Sequence, residues 1–194
     1  MRNSTRAEAI ANMLGQRSIV FVGMMGSGKT AIGRVVSNDL GLPFFDSDAE
    51  IVAAAGMSIP EIFAQFGEGY FRSGERRVIT RLLAEGPCVL SLGGGAFVNP
   101  ETRAEIARSG ITIWLRADVE LLLSRVLARP HARPLLQTAD PRATLIDLLE
   151  RRTPIYALAD IAVDSSRLSK RQTGDDVLDA LENWLTRRSS ALEE

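Results

Sequence analysis

The residues Gly23-Met24-Met25-Gly26-Ser27-Gly28-Lys29-Thr30 have the spacing G-x-x-x-x-G-K-[ST], and that spacing suits phosphate. Glycines let successive backbone N–H groups converge on phosphate oxygens, and a helix that starts in the loop points its positive end at them. Gly26, Ser27 and Gly28 would line the cradle, Lys29 would reach the β- and γ-phosphates, and Thr30 would offer its hydroxyl to Mg2+. A second group, Asp46-Ser47-Asp48, carries two carboxylates at the end of an apolar run. Asp46 could hold the metal through water, and Asp48 could accept a hydrogen bond from an attacking hydroxyl. A bland role is open to the same pair, since a short carboxylate in this place also caps a helix.

These residues need elements to position them. Ser18–Val22 reads as a buried strand entering the glycine loop, and Lys29–Leu40 as a helix with an apolar face, stopped by Gly41-Leu42-Pro43. Pro43–Phe45 is a second strand leading to the two aspartates, which would share a crevice with the glycine loop if the two strands lie side by side. Helical patterns cover Asp48–Ala55, Ser58–Phe66 and Glu68–Glu85, and Ser58 and Glu61 have capping-box spacing. Cys88–Leu92, Ile111–Leu115 and Ile161–Val163 are further strands, the first running into Gly93-Gly94-Gly95. Helices are expected from residue 99 or 100 to Arg108, over Asp118–Ala128 and Arg142–Leu158, and over Gly174–Arg188. Arg129–Pro141 holds three prolines and reads as a mobile loop. Strands that alternate with helices imply crossovers, hence an α/β fold with a parallel sheet covered on both faces.

The glycine loop by itself fits a GTPase switch, a mechanical ATPase or a small-molecule kinase. Phe45-Asp46-Ser47-Asp48, Gly67-Glu68 with Phe71-Arg72 and Glu75, Gly93-Gly94-Gly95-Ala96, Arg133-Pro134-Leu135-Leu136 and Arg152-Thr153-Pro154-Ile155-Tyr156 follow it in order. Over roughly Ser18 to Asp164 the chain thereby resembles shikimate kinases. The resemblance implies a three-layer phosphate-loop fold with a five-stranded parallel sheet, and transfer of the ATP γ-phosphate to the 3-hydroxyl of shikimate with Mg2+. It also implies one kinase domain over 18–194 behind a polar extension 1–17, with a substrate-binding region about 48–85 and a lid about 129–141. Asp48, Arg72, Gly94, Gly95 and Arg152 match the family's substrate contacts, and Arg133 its lid arginine. Many members carry a further arginine seven residues before that one, where this chain has Val126, with Arg125 and Arg129 out of register.

Simple chemistry agrees. Shikimate offers a carboxylate and several hydroxyls, so its site needs planar guanidinium donors, here Arg72 and Arg152, and a hydroxyl acceptor, here Asp48. Glu75, three residues beyond Arg72, can face it, and Gly93–Gly95 would let backbone approach the ring. The catalytic set expected is therefore Asp48, Lys29 and Arg133. Arg76 and Arg77 read as solvated pairs, Phe63, Phe66 and Phe71 as core, and His131 as a solvated lid residue.

A formal net charge of -1 gives no general attraction to nucleic acid or an anionic membrane. Cys88 is the single cysteine, which excludes an intrachain disulfide and a multi-cysteine zinc site. No apolar stretch approaches spanning length and Met1–Arg17 lacks the apolar core of a secretory signal, so the cytoplasm is the expected location; a monomer is expected as well. Gluconate kinases, nucleotide-binding switches and noncatalytic homologues are the competing readings.

Overall fold

Every residue of β1 (Ser18–Val22) is buried, as befits a strand at the centre of a sheet covered on both faces. In the computed structural model, which describes residues 2–128, 138–166 and 169–190, β1 pairs in parallel with β3 (Val89–Ser91) on one side and β4 (Gly110–Arg116) on the other. Outside these lie β2 (Phe44–Asp46) and β5 (Ile161–Asp164), giving five parallel strands in the order β2-β3-β1-β4-β5. The architecture is the expected one. β3 stands between β1 and β2, so the two motif-bearing strands do not touch.

Alternation along β1 divides the core in two. Ile19 and Phe21 face α1 (Arg2–Leu14), α2 (Lys29–Leu40) and α8 (Lys170–Ser190), meeting Ile10, Val36 and Leu181. Val20 and Val22 face α4 (Ile59–Ala84), α5 (Pro100–Ser109), α6 (Val119–Leu127) and α7 (Pro141–Tyr156), meeting Ile79, Ile106, Leu122 and Tyr156. The N-terminal segment, polar in composition, thus contributes Ile10 and Leu14 to the core, both wholly buried.

Two details matter for the site. α3 (Ser47–Ala55) starts directly at the end of β2, and the helical region continues through α4, whose capping box between Ser58 and Glu61 is complete. Within α4, Gly67 is non-helical at φ 78° and ψ 174°, a conformation that in practice only glycine adopts. The kink separates the two helices expected here. Phe71 is buried as expected, but Phe63 and Phe66 are not core: they are exposed, with Phe63 against Phe71 and Phe66 against Tyr70 at 4.6 and 4.7 Å between ring centres. Both rings precede the kink and stay exposed, a placement that apolar periodicity alone does not reveal.

α7 starts at Pro141, one residue before the expected boundary; proline fits the first helical turn, where its missing N–H costs nothing. Residues 129–137, which hold His131, Arg133 and most of the expected lid, lie outside the described residues. Among the described residues no helix is long and apolar enough to cross a membrane.

Candidate active site

The carboxyl ends of β1, β2 and β3 bring the motifs together, at the place where the strand order reverses and open α/β sheets bind ligands. The glycine loop joins β1 to α2, with Lys29 as the first helical residue. Its ammonium is nearly buried and donates to the carbonyls of Gly23 and Met24 at 2.8 and 3.0 Å, which holds the charge across the loop. Ser27 Oγ is buried without a hydrogen-bond partner. An orphaned hydroxyl beside a helix N-terminus suits a phosphate oxygen, so the loop fits the polyphosphate of a nucleotide.

Two neighbours brace this loop, and neither was assigned from sequence. Arg125 donates from Nη1 to the Gly26 carbonyl at 3.0 Å, whereas Val126, in the register where many relatives have arginine, is buried in the core. Ser165, just after β5, donates to the Ser27 carbonyl at 3.0 Å and ties the phosphate loop to the end of that strand.

Although β2 is not beside β1, Thr30 Oγ1 donates to Asp46 Oδ2 at 2.8 Å and lies 3.3 Å from Ser91 Oγ on the intervening strand. Asp46 also caps α3, its Oδ1 accepting from the Asp48 and Ala49 amides at 3.1 and 3.4 Å. The cap is therefore Asp46, which leaves the Asp48 carboxylate to the acceptor side. Thr30 and Asp46 supply hard oxygen ligands, which fit Mg2+ completed by waters and phosphates. Among the described residues no group of three or more His, Cys, Asp or Glu could hold a metal alone.

On the acceptor side, Gly93 and Gly95 pass so close to neighbouring side chains that a β-carbon on either would force a shift. A β-carbon on Gly93 would lie 2.4 Å from Asp48 Oδ1, and one on Gly95 2.7 Å from Arg72 Nη2. One on Gly94 would lie 3.5 Å from the Met25 amide nitrogen and 3.7 Å from both the Gly23 carbonyl and Arg152 Nη1. Asp48, Arg72 and Arg152 therefore converge on one loop, and that loop abuts the phosphate loop.

Arg72 is held by two carboxylates. Nη1 donates to Glu75 at 2.8 Å, and Nη2 donates to Glu68 at 3.2 Å. Burial acts against its charge, but the hydrogen bonds and charges of Glu75 and Glu68 outweigh that and raise its pKa. Glu75 is only 2% exposed, and burial pushes its pKa up; Arg72 opposes the shift, while the charges of Asp48 and Glu68 add to it. By contrast Arg76 pairs outward with Glu101 at the surface, as expected. Ser47 and Tyr156, neither given a role from sequence, both bond the Gly93–Gly95 loop: the Gly93 amide donates to Ser47 Oγ at 2.9 Å, and the Tyr156 hydroxyl donates to the Gly94 carbonyl.

This arrangement has known counterparts. The family model described as shikimate kinase matches residues 25–182. The chain is 51% identical over 173 residues to the shikimate kinase of Mesorhizobium japonicum, covering 89% of this chain and 85% of that one. The chain belongs to the shikimate kinase family. With the shikimate kinase of Ruegeria pomeroyi the identity is 54% over 166 residues, 85% of either chain. Among solved structures, shikimate kinase from Acinetobacter baumannii in complex with shikimate superposes with a TM-score of 0.82 at 36% identity, covering 89% of this chain and 95% of that one. A gluconokinase from Sinorhizobium meliloti gives a TM-score of 0.59 at 19% identity, a likeness of fold alone. Membership in the shikimate kinase family makes the chain an ATP-dependent kinase.

Proposed function

We propose that the chain transfers the γ-phosphate of ATP to the 3-hydroxyl of shikimate, giving 3-phosphoshikimate and ADP. The observation that carries this reading is the convergence of Asp48, Arg72 and Arg152 on a glycine loop that packs against the phosphate loop. Arg72 and Arg152 take the acceptor's carboxylate, since planar guanidinium groups bind carboxylate through paired hydrogen bonds. The backbone of Gly93, Gly94 and Gly95 lies along the ring.

At the other end of the acceptor Asp48 takes the proton of the 3-hydroxyl as its oxygen attacks the γ-phosphorus. The bond to the β–γ bridging oxygen breaks, and the electron pair leaves on ADP. Gly26, Ser27 and Gly28 hold the polyphosphate through backbone amides, and Lys29 neutralises charge on the β- and γ-oxygens. Thr30, and Asp46 through water, would hold Mg2+, which would supply further neutralisation of the phosphate oxygens. Arg133 is assigned to the transferred phosphoryl group on its motif. The substrate-binding region, about 48–85, the lid, about 129–141, and a cytoplasmic monomer that binds neither nucleic acid nor membrane belong to the same reading.

Equilibrium titration tests the acceptor end. Arg72→Ala removes a guanidinium whose charge-assisted hydrogen bonds contribute about 1.5–3 kcal/mol, so shikimate should bind roughly 10- to 100-fold more weakly. ATP affinity should stay within about twofold, because Arg72 lies on the acceptor side of the glycine loop. Unchanged shikimate affinity would place the carboxylate elsewhere.

A further inference from the structure

The Gly93–Gly95 loop has no side chains with which to hold its own position, yet three side chains of the proposed site meet on it. Something outside the loop must therefore keep it in place. Two wholly buried hydroxyls do so from opposite sides. Ser47 lies on the β2 side: Asp46 pairs with Ser91 in the parallel register, so the next residues of the two chains run out of the sheet together. The Gly93 amide meets Ser47 Oγ at 2.9 Å, and Ser47 has no exposed surface. Tyr156 lies on the α7 side, 1% exposed, and its hydroxyl donates to the Gly94 carbonyl.

Arg152 shares that carbonyl through Nη1 at 3.2 Å. A carbonyl has two lone pairs, so Tyr156 satisfies the oxygen whether or not Arg152 also bonds it. The guanidinium is then available to a carboxylate without leaving a buried carbonyl unpaired. Burial raises the Tyr156 pKa, with the nearby Arg152 acting against the shift, and the phenol remains a donor.

We propose that Ser47 and Tyr156 are positioning residues that clamp the Gly93–Gly95 loop in its acceptor-binding geometry. This rests on the reading of the loop as the shikimate site. Neither hydroxyl touches a reacting atom. Each acts by having the loop already ordered when the acceptor arrives, so that its ordering does not weaken binding.

The test uses the full chain with Ser47→Ala, Ser47→Thr and Tyr156→Phe. It reads shikimate affinity by titration, KM for shikimate and for ATP, kcat, and the melting temperature. Ser47→Ala and Tyr156→Phe should each weaken shikimate binding and raise its KM roughly 5- to 30-fold, as expected when one buried hydrogen bond is lost. KM for ATP should stay within about twofold, because the phosphate loop keeps its own braces from Arg125 and Ser165. Ser47→Thr, which keeps the hydroxyl, should restore shikimate KM to within about twofold of the parent. A lower melting temperature with both KM values unchanged would make the hydroxyls merely structural and overturn the proposal. Equal rises in both KM values, or no recovery in Ser47→Thr, would also overturn it. A parent enzyme that binds no shikimate overturns the functional reading itself, whereas a parent and variants that all bind shikimate equally well overturn the clamp alone.

Discussion

Asp48→Asn should lower turnover about 10²- to 10⁴-fold, the range for a positioned acid or base, while ATP affinity stays nearly unchanged. The substitution keeps the size of the side chain and removes the negative charge. A carboxylate in this position has two competing uses, capping α3 or accepting a proton. The first belongs to Asp46, whose Oδ1 accepts from both the Asp48 and Ala49 amides. Asp48 lies instead against Gly93, in the electrostatic field of Glu75. Loss of the charge should therefore affect the chemical step more than the fold. Single-turnover phosphoryl transfer at saturating ATP and shikimate measures this, and a near-normal rate would remove Asp48 from the chemistry.

Lys29→Ala should lower single-turnover transfer by about 10²- to 10³-fold even with both substrates saturating, comparable to deleting one donor from a preorganised anion site. Phosphoryl transfer needs little covalent help from protein, so neutralising charge on the departing and transferred oxygens supplies much of the rate. The ammonium is nearly buried and fixed by the Gly23 and Met24 carbonyls, so it is already oriented before transfer. Only one other lysine is present in the chain, Lys170, and it begins α8. If saturating ATP restores the parent rate in Lys29→Ala, the lysine contributes to binding alone.

The parts of this site that were legible in the sequence have their chemistry in contiguous residues. A loop of glycines ending in Lys29-Thr30, or a strand ending in Asp46-Ser47-Asp48, is a local statement. Alternation and helical periodicity likewise separate strands from helices, and they located all five strands within a residue or two. They carry no information about pairing. The insertion of β3 between β1 and β2 depends on crossovers, and it is β3 that brings Gly93 beside Ser47.

Long-range roles were illegible for the same reason. Ser47 and Tyr156 stood within recognised motifs, but a serine or tyrosine hydroxyl has no spacing that announces a partner 46 or 62 residues away. Arg125 illustrates the reverse case. In register it is a neighbour of the expected position, but rotation of α6 directs Val126 into the core and brings Arg125 to the Gly26 carbonyl. Phe63 and Phe66 were misplaced because an aromatic side chain alone does not tell a core position from an exposed ring that stacks on a neighbour, as these do on Phe71 and Tyr70.

The most direct test of the central claim is magnesium-dependent ADP release by the full chain, measured with shikimate, quinate, gluconate and nucleoside monophosphates in parallel. Shikimate should support the fastest turnover by a wide margin, with ATP hydrolysis slow when no acceptor is present. Equal or faster turnover with gluconate, or hydrolysis indifferent to every acceptor, would contradict the assignment.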